Sequence, residues 1–214
     1  MRPIIIPTLI GAIYYLLVFW AASPVWAQAP SEARQALEKT VNLVLEELNK
    51  PEIKNSATRA QEMDKVEEIM AGLFSFEELS LRTVGPNWKN FNDDQKTRFI
   101  NEFRRMLRSS YANTFEEYDG EVLNYVGETP QGNQGDRVQI DTTVLSKGKQ
   151  IPISFRMINK NAWKVYDIVI ENISLVQNYR SQFQSLLQKG DIEGLIKSVS
   201  QKADEFNQKN KIGQ

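Results

Sequence analysis

The chain predicts an α+β fold, a four-stranded antiparallel sheet wrapped by about six helices. Three observations carry it: helix-period stripes fill the first half up to about residue 116, strand patterns with short turns fill 121–171, and helical spacing returns from Ile173 onward. With 214 residues and no low-complexity linker, a single domain accommodates all of it.

Taken in order, Ser31 is a helix cap before the stripe Leu37, Val41, Val44, Leu45 and Leu48, which Pro51 terminates. A second amphipathic helix over 58–71 turns Ala60, Met63, Val66, Ile69 and Met70 inward. Ser75 and Glu78 have the spacing of a reciprocal capping box, and Gly85-Pro86 closes that third helix. Asn92 caps a long fourth helix whose Phe99, Phe103, Leu107, Tyr111 and Phe115 recur every four residues.

Strands are predicted at 121–127, 136–146, 150–159 and 162–171, separated by turn residues at 130–135, 147–149 and 159–161. Val138, Ile140, Thr142 and Val144 alternate against Gln139, Asp141 and Thr143. Ile151, Ile153, Phe155 and Met157 alternate against Ser154 and Arg156, so each strand has one apolar face. The fourth strand is apolar at nearly every position and runs without an evident turn into a helix expected over 172–189. Gly190 and Asp191 then end one helix and cap the last, which carries Ile192, Leu195, Ile196, Val199 and Ala203.

Composition excludes much. With no cysteine and no histidine, thiol nucleophiles, Ser-His-Asp catalysis, disulfides and most transition-metal sites drop out. No phosphate loop, dinucleotide fingerprint or zinc spacing occurs, so no metal or cofactor is predicted. Arg2, the apolar run from Ile4 to Trp20 and the small residues before Ala27 read as a secretory signal over 1–27, leaving a mature domain over 28–214; an uncleaved anchor helix is the alternative. Cleavage removes one Arg, taking 26 basic against 27 acidic residues to 25 against 27, a net charge of −2 that argues against nucleic acid. An exported, unanchored chain is expected in the periplasm.

For function the residues leave three classes: an α+β enzyme, a binder of apolar cargo, and a periplasmic interaction module that holds no lipid. Strand carboxylates Asp141 and Asp167, with Tyr166, could serve an α+β enzyme; otherwise Asp141 is solvated and Asp167 is hydrogen-bonded at a strand edge or helix terminus. The second class is a binder of apolar cargo. Phe76, Leu79, Phe99, Phe103, Leu107 and Tyr111, the apolar strand faces with Val138, Ile140, Phe155 and Met157, and Val165 or Tyr166 are candidates to line a pocket.

Asn178-Tyr179-Arg180-Ser181-Gln182-Phe183, the run Trp163–Asp167, Ile170-Glu171 and Ser174-Leu175-Val176 resemble the MlaC, or toluene-tolerance, family of periplasmic phospholipid-binding proteins. Phe74-Ser75-Phe76, Leu79, Arg82, Gly85-Pro86-Asn87-Trp88, Phe99, Phe103 and Ser110-Tyr111-Ala112 follow the same order, so the resemblance spans almost the whole mature chain. It implies a non-enzymatic shuttle that holds glycerophospholipid tails between a twisted sheet and its helices, with the head group near the surface. It also implies partners: an inner-membrane MCE-domain protein with its ABC transporter, and an outer-membrane lipoprotein complex. Carried over as pocket or scaffold are Phe76, Leu79, Trp88, Phe99, Phe103, Tyr111, Trp163, Val165 and Tyr166. Arg82 and Arg180 stand either near the head group or docking surface, or as ordinary solvated and capping charges. A hopanoid-type polycyclic cargo stays open, and a monomer is expected.

Overall fold

The computed structural model describes residues 31–55, 57–116 and 120–212, without the side chains of Lys54, Ala60, 111–116 and 210–212. The export signal expected over 1–27, the inward Ala60 and the side chains of Tyr111 and Phe115 lie outside that description.

Helix α1 (Glu32–Leu48) begins where Ser31 Oγ accepts the Arg34 N–H at 3.2 Å. Its apolar stripe divides between two neighbours. Ala33 and Leu37 pack on the sheet, while Val44 and Leu48 pack with Val66, Met63, Ile69 and Met70 of α2 (Arg59–Leu73).

Helix α3 (Phe76–Val84) keeps only half of the expected capping box. Ser75 Oγ accepts the Glu78 N–H, but the Glu78 carboxylate is drawn to Arg82 at 3.0 Å and Lys160 at 2.6 Å. The Ser75 N–H instead donates to the Val165 carbonyl, tying the α2–α3 joint to the sheet. A complete reciprocal box occurs one helix later: Asn92 Oδ1 accepts the Gln95 N–H at 2.8 Å and Gln95 Oε1 accepts the Asn92 N–H at 3.1 Å. That box starts α4 (Asp93–Glu116), the longest helix described.

The sheet has five strands rather than four, in the order β1 (Leu123–Pro130), β2 (Arg137–Ser146), β3 (Lys149–Asn159), β4 (Trp163–Ile170), β5 (Ile173–Ser174), all antiparallel. The unforeseen fifth strand is two residues long. It returns through Glu171 and Asn172, at φ +48° and +68°, a two-residue turn with both central residues left-handed. The expected seamless passage into a helix from 172 is therefore a hairpin, and α5 covers Leu175–Gln188. Helix α6 (Ile192–Ile212) follows, with Asp191 Oδ1 accepting the Gly194 N–H.

The unbroken apolar run of β4 also has a structural cause. Arg156 pairs with Asp167 and Met157 with Val165, so Tyr166 is the extra residue of a β-bulge. Before the bulge Trp163 and Val165 pack on the sheet core; after it Ile168 does. Two half-strands of opposite parity, read as one, look apolar on both faces.

Two cores result. One sets α1 and Leu73 against Val138, Ile140, Phe155, Met157 and Val165. The other joins α3, α4, α5 and α6 through Leu79, Phe99, Phe103, Met106, Tyr179, Phe183, Leu195 and Val199. Phe103 meets Tyr179 and Phe183 edge-on at 5.1 and 5.8 Å between ring centres.

Asp167, 2% exposed, fastens the sheet to α5. Its carboxylate accepts from Arg156 Nη1 at 2.9 Å, Ser174 Oγ at 2.7 Å and the Val176 N–H at 3.0 Å. Ser174 Oγ in turn accepts the Gln177 N–H, completing the cap. Asp167→Asn should cost about 1–3 kcal/mol, because a charge-assisted buried acceptor loses its strength while its donors stay in place. Urea unfolding against the wild-type chain reads this as a lower midpoint at unchanged slope.

Candidate functional site

Between the two cores lies a cavity of about 510 Å³. Helix α2 contributes Met63, Val66, Met70 and Ala71; Phe74 and Phe76 form the corner into α3; α4 contributes Leu107; and the hairpin supplies Ile168, Ile170 and Ile173, with Leu175 at the start of α5. The methionines on α2 are unbranched and polarisable, so this wall adapts its shape. Phe74 and Phe76 stack at 5.8 Å. Ile173, 64% exposed, stands where the cavity meets solvent.

Charged groups join the wall at Asp64, Glu67, Arg104, Arg108 and Glu171. Arg108 Nη2 pairs with Asp64 at 2.8 Å and its Nε pairs with Glu67, so one guanidinium joins α2 to α4. Glu171 pairs with Lys149 at 2.5 Å. Arg104 lies over the Phe76 ring, 5.2 Å from its centre. Burial pushes the Glu67 carboxyl up, and nearby Asp64 adds to this; Arg108 opposes it without prevailing.

Of the residues expected to line a pocket, the structure brings Phe76 and Leu107 to this cavity. Leu79, Phe99 and Phe103 are buried in the helical core, with Trp88 packed against it. Val138, Ile140, Phe155, Met157 and Val165 form the sheet core, and Trp163 packs on that core. Tyr166 lies under the Arg82 guanidinium at 4.1 Å. The cause on α4 is geometric: at 3.6 residues per turn, steps of four advance about 40° beyond a full turn, so the stripe spirals. Phe99 and Phe103 face α5 and α6, whereas Leu107, still part of that core, also reaches the cavity.

Neither Arg82 nor Arg180 is on the wall of this cavity. Arg82 pairs with Glu78, and Arg180 Nη2 donates to the Arg82 carbonyl at 2.5 Å. Arg180 also lies against Gly85, φ +66°, where a Cβ would sit 2.8 Å from Nη2. Asp141 and Asp167 are likewise absent from the wall. Asp141 accepts from Ser154 Oγ at 2.6 Å and Gln139 Nε2 at 2.9 Å, and Asp167 anchors α5. Asp167 occupies the hydrogen-bonded position weighed against a catalytic role, whereas Asp141, expected to be solvated, is held by its strand neighbours.

Sequence reasoning took α2 as a covering helix and missed it as a wall. The available signal was Met63 and Met70 on its inward stripe; nothing marked Ile170 and Ile173 as neighbours across a turn except Asn172, a residue that tolerates positive φ.

Glu67 and Glu78 predict opposite pH signatures. The folded state holds a proton on Glu67 more tightly than the unfolded chain does, so its carboxylate lowers stability as pH rises through that window. At Glu78 burial also pushes upward, but the Lys160 hydrogen bond and the Arg82 charge outweigh it and hold the carboxyl low. Its stabilisation is present above the unfolded value and lost as pH falls through the folded one. As pH rises above the ordinary carboxylate value of 4.5, Glu67→Gln should become progressively more stable relative to wild type, and as pH falls below it Glu78→Gln should progressively lose its disadvantage, both read by denaturant midpoints.

The model of the MlaC protein family matches residues 38–201. The intermembrane phospholipid transport system binding protein MlaC of Haemophilus influenzae is 24% identical over 135 residues, 59% of this chain and 63% of that protein's length. Toluene tolerance protein ttg2D of Pseudomonas putida is 22% identical over 179 residues, 81% of each chain. A solved phospholipid-binding protein from Ralstonia solanacearum, determined in complex with a phospholipid, shares the fold at a TM-score of 0.72 and 18% identity, covering 83% of this chain and 99% of that one. With the family's model spanning most of its length, this chain belongs to the MlaC protein family.

Proposed function

We propose that this protein is a periplasmic carrier of glycerophospholipid, moving single molecules between the outer and inner membranes. The observation that carries the reading is the 510 Å³ cavity walled by Met63, Val66, Met70, Phe74, Phe76, Ile168 and Ile170. Its volume is within the usual range of ligand sites, roughly 300–1,000 Å³, and its lining asks for hydrocarbon. The Haemophilus relative's name assigns it to phospholipid transport, and the Ralstonia structure holds a phospholipid. Both support the same cargo here.

The energetics suit a shuttle. At about 0.8 kcal/mol per buried methylene, two acyl chains with roughly thirty methylenes gain on the order of 20 kcal/mol relative to water. A bilayer offers the tails a similar solvent, so exchange between membrane and cavity is close to neutral. Direction then comes from docking partners: in this reading an inner-membrane MCE-domain protein with its ABC transporter, and an outer-membrane lipoprotein complex. Arg82 and Arg180 remain docking candidates. Asp64, Glu67 and Glu171 on the wall are held in ion pairs, which favours a carrier over a carboxylate enzyme.

Native mass spectrometry of the chain from Gln28 onward, expressed in a bacterial periplasm, followed by solvent extraction, tests this. The expected result is one diacyl phospholipid per protein. Bound hopanoid would change the cargo class, and a chain that is empty and takes up no lipid from vesicles would defeat the carrier reading. Ala71→Trp, which places an indole in the cavity, should lower loading at least about tenfold, with the folded far-UV spectrum retained.

A further inference from the structure

We infer that Arg104 reads the phosphate of the cargo at the cavity mouth and thereby selects a phospholipid over an uncharged lipid of equal hydrocarbon size. The inference rests on the carrier reading and extends it to cargo selection. Two basic side chains lie on the wall, and Arg108 is already engaged by Asp64 and Glu67. Glu171, the remaining wall acid, is engaged by Lys149. Among the described residues, Arg104 makes no ion pair; its charge reaches Glu67 only at longer range, and Glu67 is already paired with Arg108.

Its placement suits an anion tethered to tails. Arg104 projects from α4 on the turn that brings Leu107 and Arg108 to the wall, and it is exposed, so it marks the boundary between hydrocarbon and water. The Phe76 ring beneath it engages the face of the guanidinium and leaves the edge N–H donors for a ligand. Those donors match two phosphate oxygens at once. Phe76 is itself a wall residue, so tails packed against its ring bring the attached phosphodiester to the guanidinium. An uncharged polycyclic or diacyl lipid gains nothing from this group.

The test uses vesicles containing equal amounts of a phosphatidylglycerol and a diacylglycerol with the same acyl chains. The protein is equilibrated with them and recovered, and its bound lipids are extracted and quantified. Wild type should hold the phospholipid in about tenfold excess, and Arg104→Gln should bring the ratio to within about twofold of unity. Arg104→Lys, which keeps the charge but not the planar fork, should fall between the two. Matching thermal unfolding curves establish that the variants are folded. An undiminished preference in folded Arg104→Gln overturns the inference. Equal uptake of both lipids by wild type overturns it while leaving the carrier intact, whereas uptake of neither removes both. Inorganic phosphate alone should not bind; Arg104-dependent binding of it, without a lipid preference, would assign the guanidinium to a free anion instead.

Discussion

The carboxylate of Asp167 sets the relation on which the cavity depends. It projects from β4 on the face away from the sheet core, yet it is buried, and every donor around it comes from a different segment: Arg156 from β3, Ser174 from the hairpin's return and Val176 from the first turn of α5. A buried charge is tolerated only when so surrounded, which fixes those segments at a defined angle. From that joint Ile168 and Ile170 become one wall of the cavity and Leu175 the next. Further along α5, Tyr179 and Phe183 reach Phe103 of α4. Sheet, hairpin and helical core are thus indexed to one carboxyl group.

The cavity itself arises because packing is completed on either side of it. Above the sheet, α1 fills its share; among the helices, the aromatic cluster around Phe99 and Phe103 fills the other. Helix α2 is bound to α1 through Val44, Leu48 and Val66 and to β4 through the bridge between Phe74 and Val165, but Arg108 ties it to α4 by ion pairs. Apolar side chains from both sides face a space that no side chain among the described residues fills. Hydrocarbon from outside satisfies such walls without asking for hydrogen bonds, which is why a carrier can bind many acyl compositions and still exchange with a membrane.

Much of the fold was legible because local chemistry and global packing agree. Ser31, Asn92 and Asp191 cap the helices that start beside them, and the alternation of Val138, Ile140 and Thr142 gives the correct core face of β2. The misreadings share one origin: periodicity assumes an uninterrupted element. The bulge at Tyr166 inverts the parity of β4 midway, and the turn at Glu171 and Asn172 inserts a strand where helical spacing had already begun. On α4, a stripe in steps of four spirals, so Leu107 borders the cavity as well as the core it shares with Phe99. The family resemblance pointed to the right kind of protein, but which hydrophobic residues pack together and which border open space is decided by three-dimensional closure.

The most direct test of the central claim, that acyl chains lie between α2, α4 and β4 and not within the aromatic core, is photocrosslinking with a phospholipid carrying a diazirine at the end of one acyl chain. After loading, irradiation and digestion, adducts should fall on Val66, Met70, Phe74 and Ile168. Adducts concentrated on Phe99, Phe103 and Phe183 would contradict the account, because they would require the core that joins α4, α5 and α6 to open around the lipid.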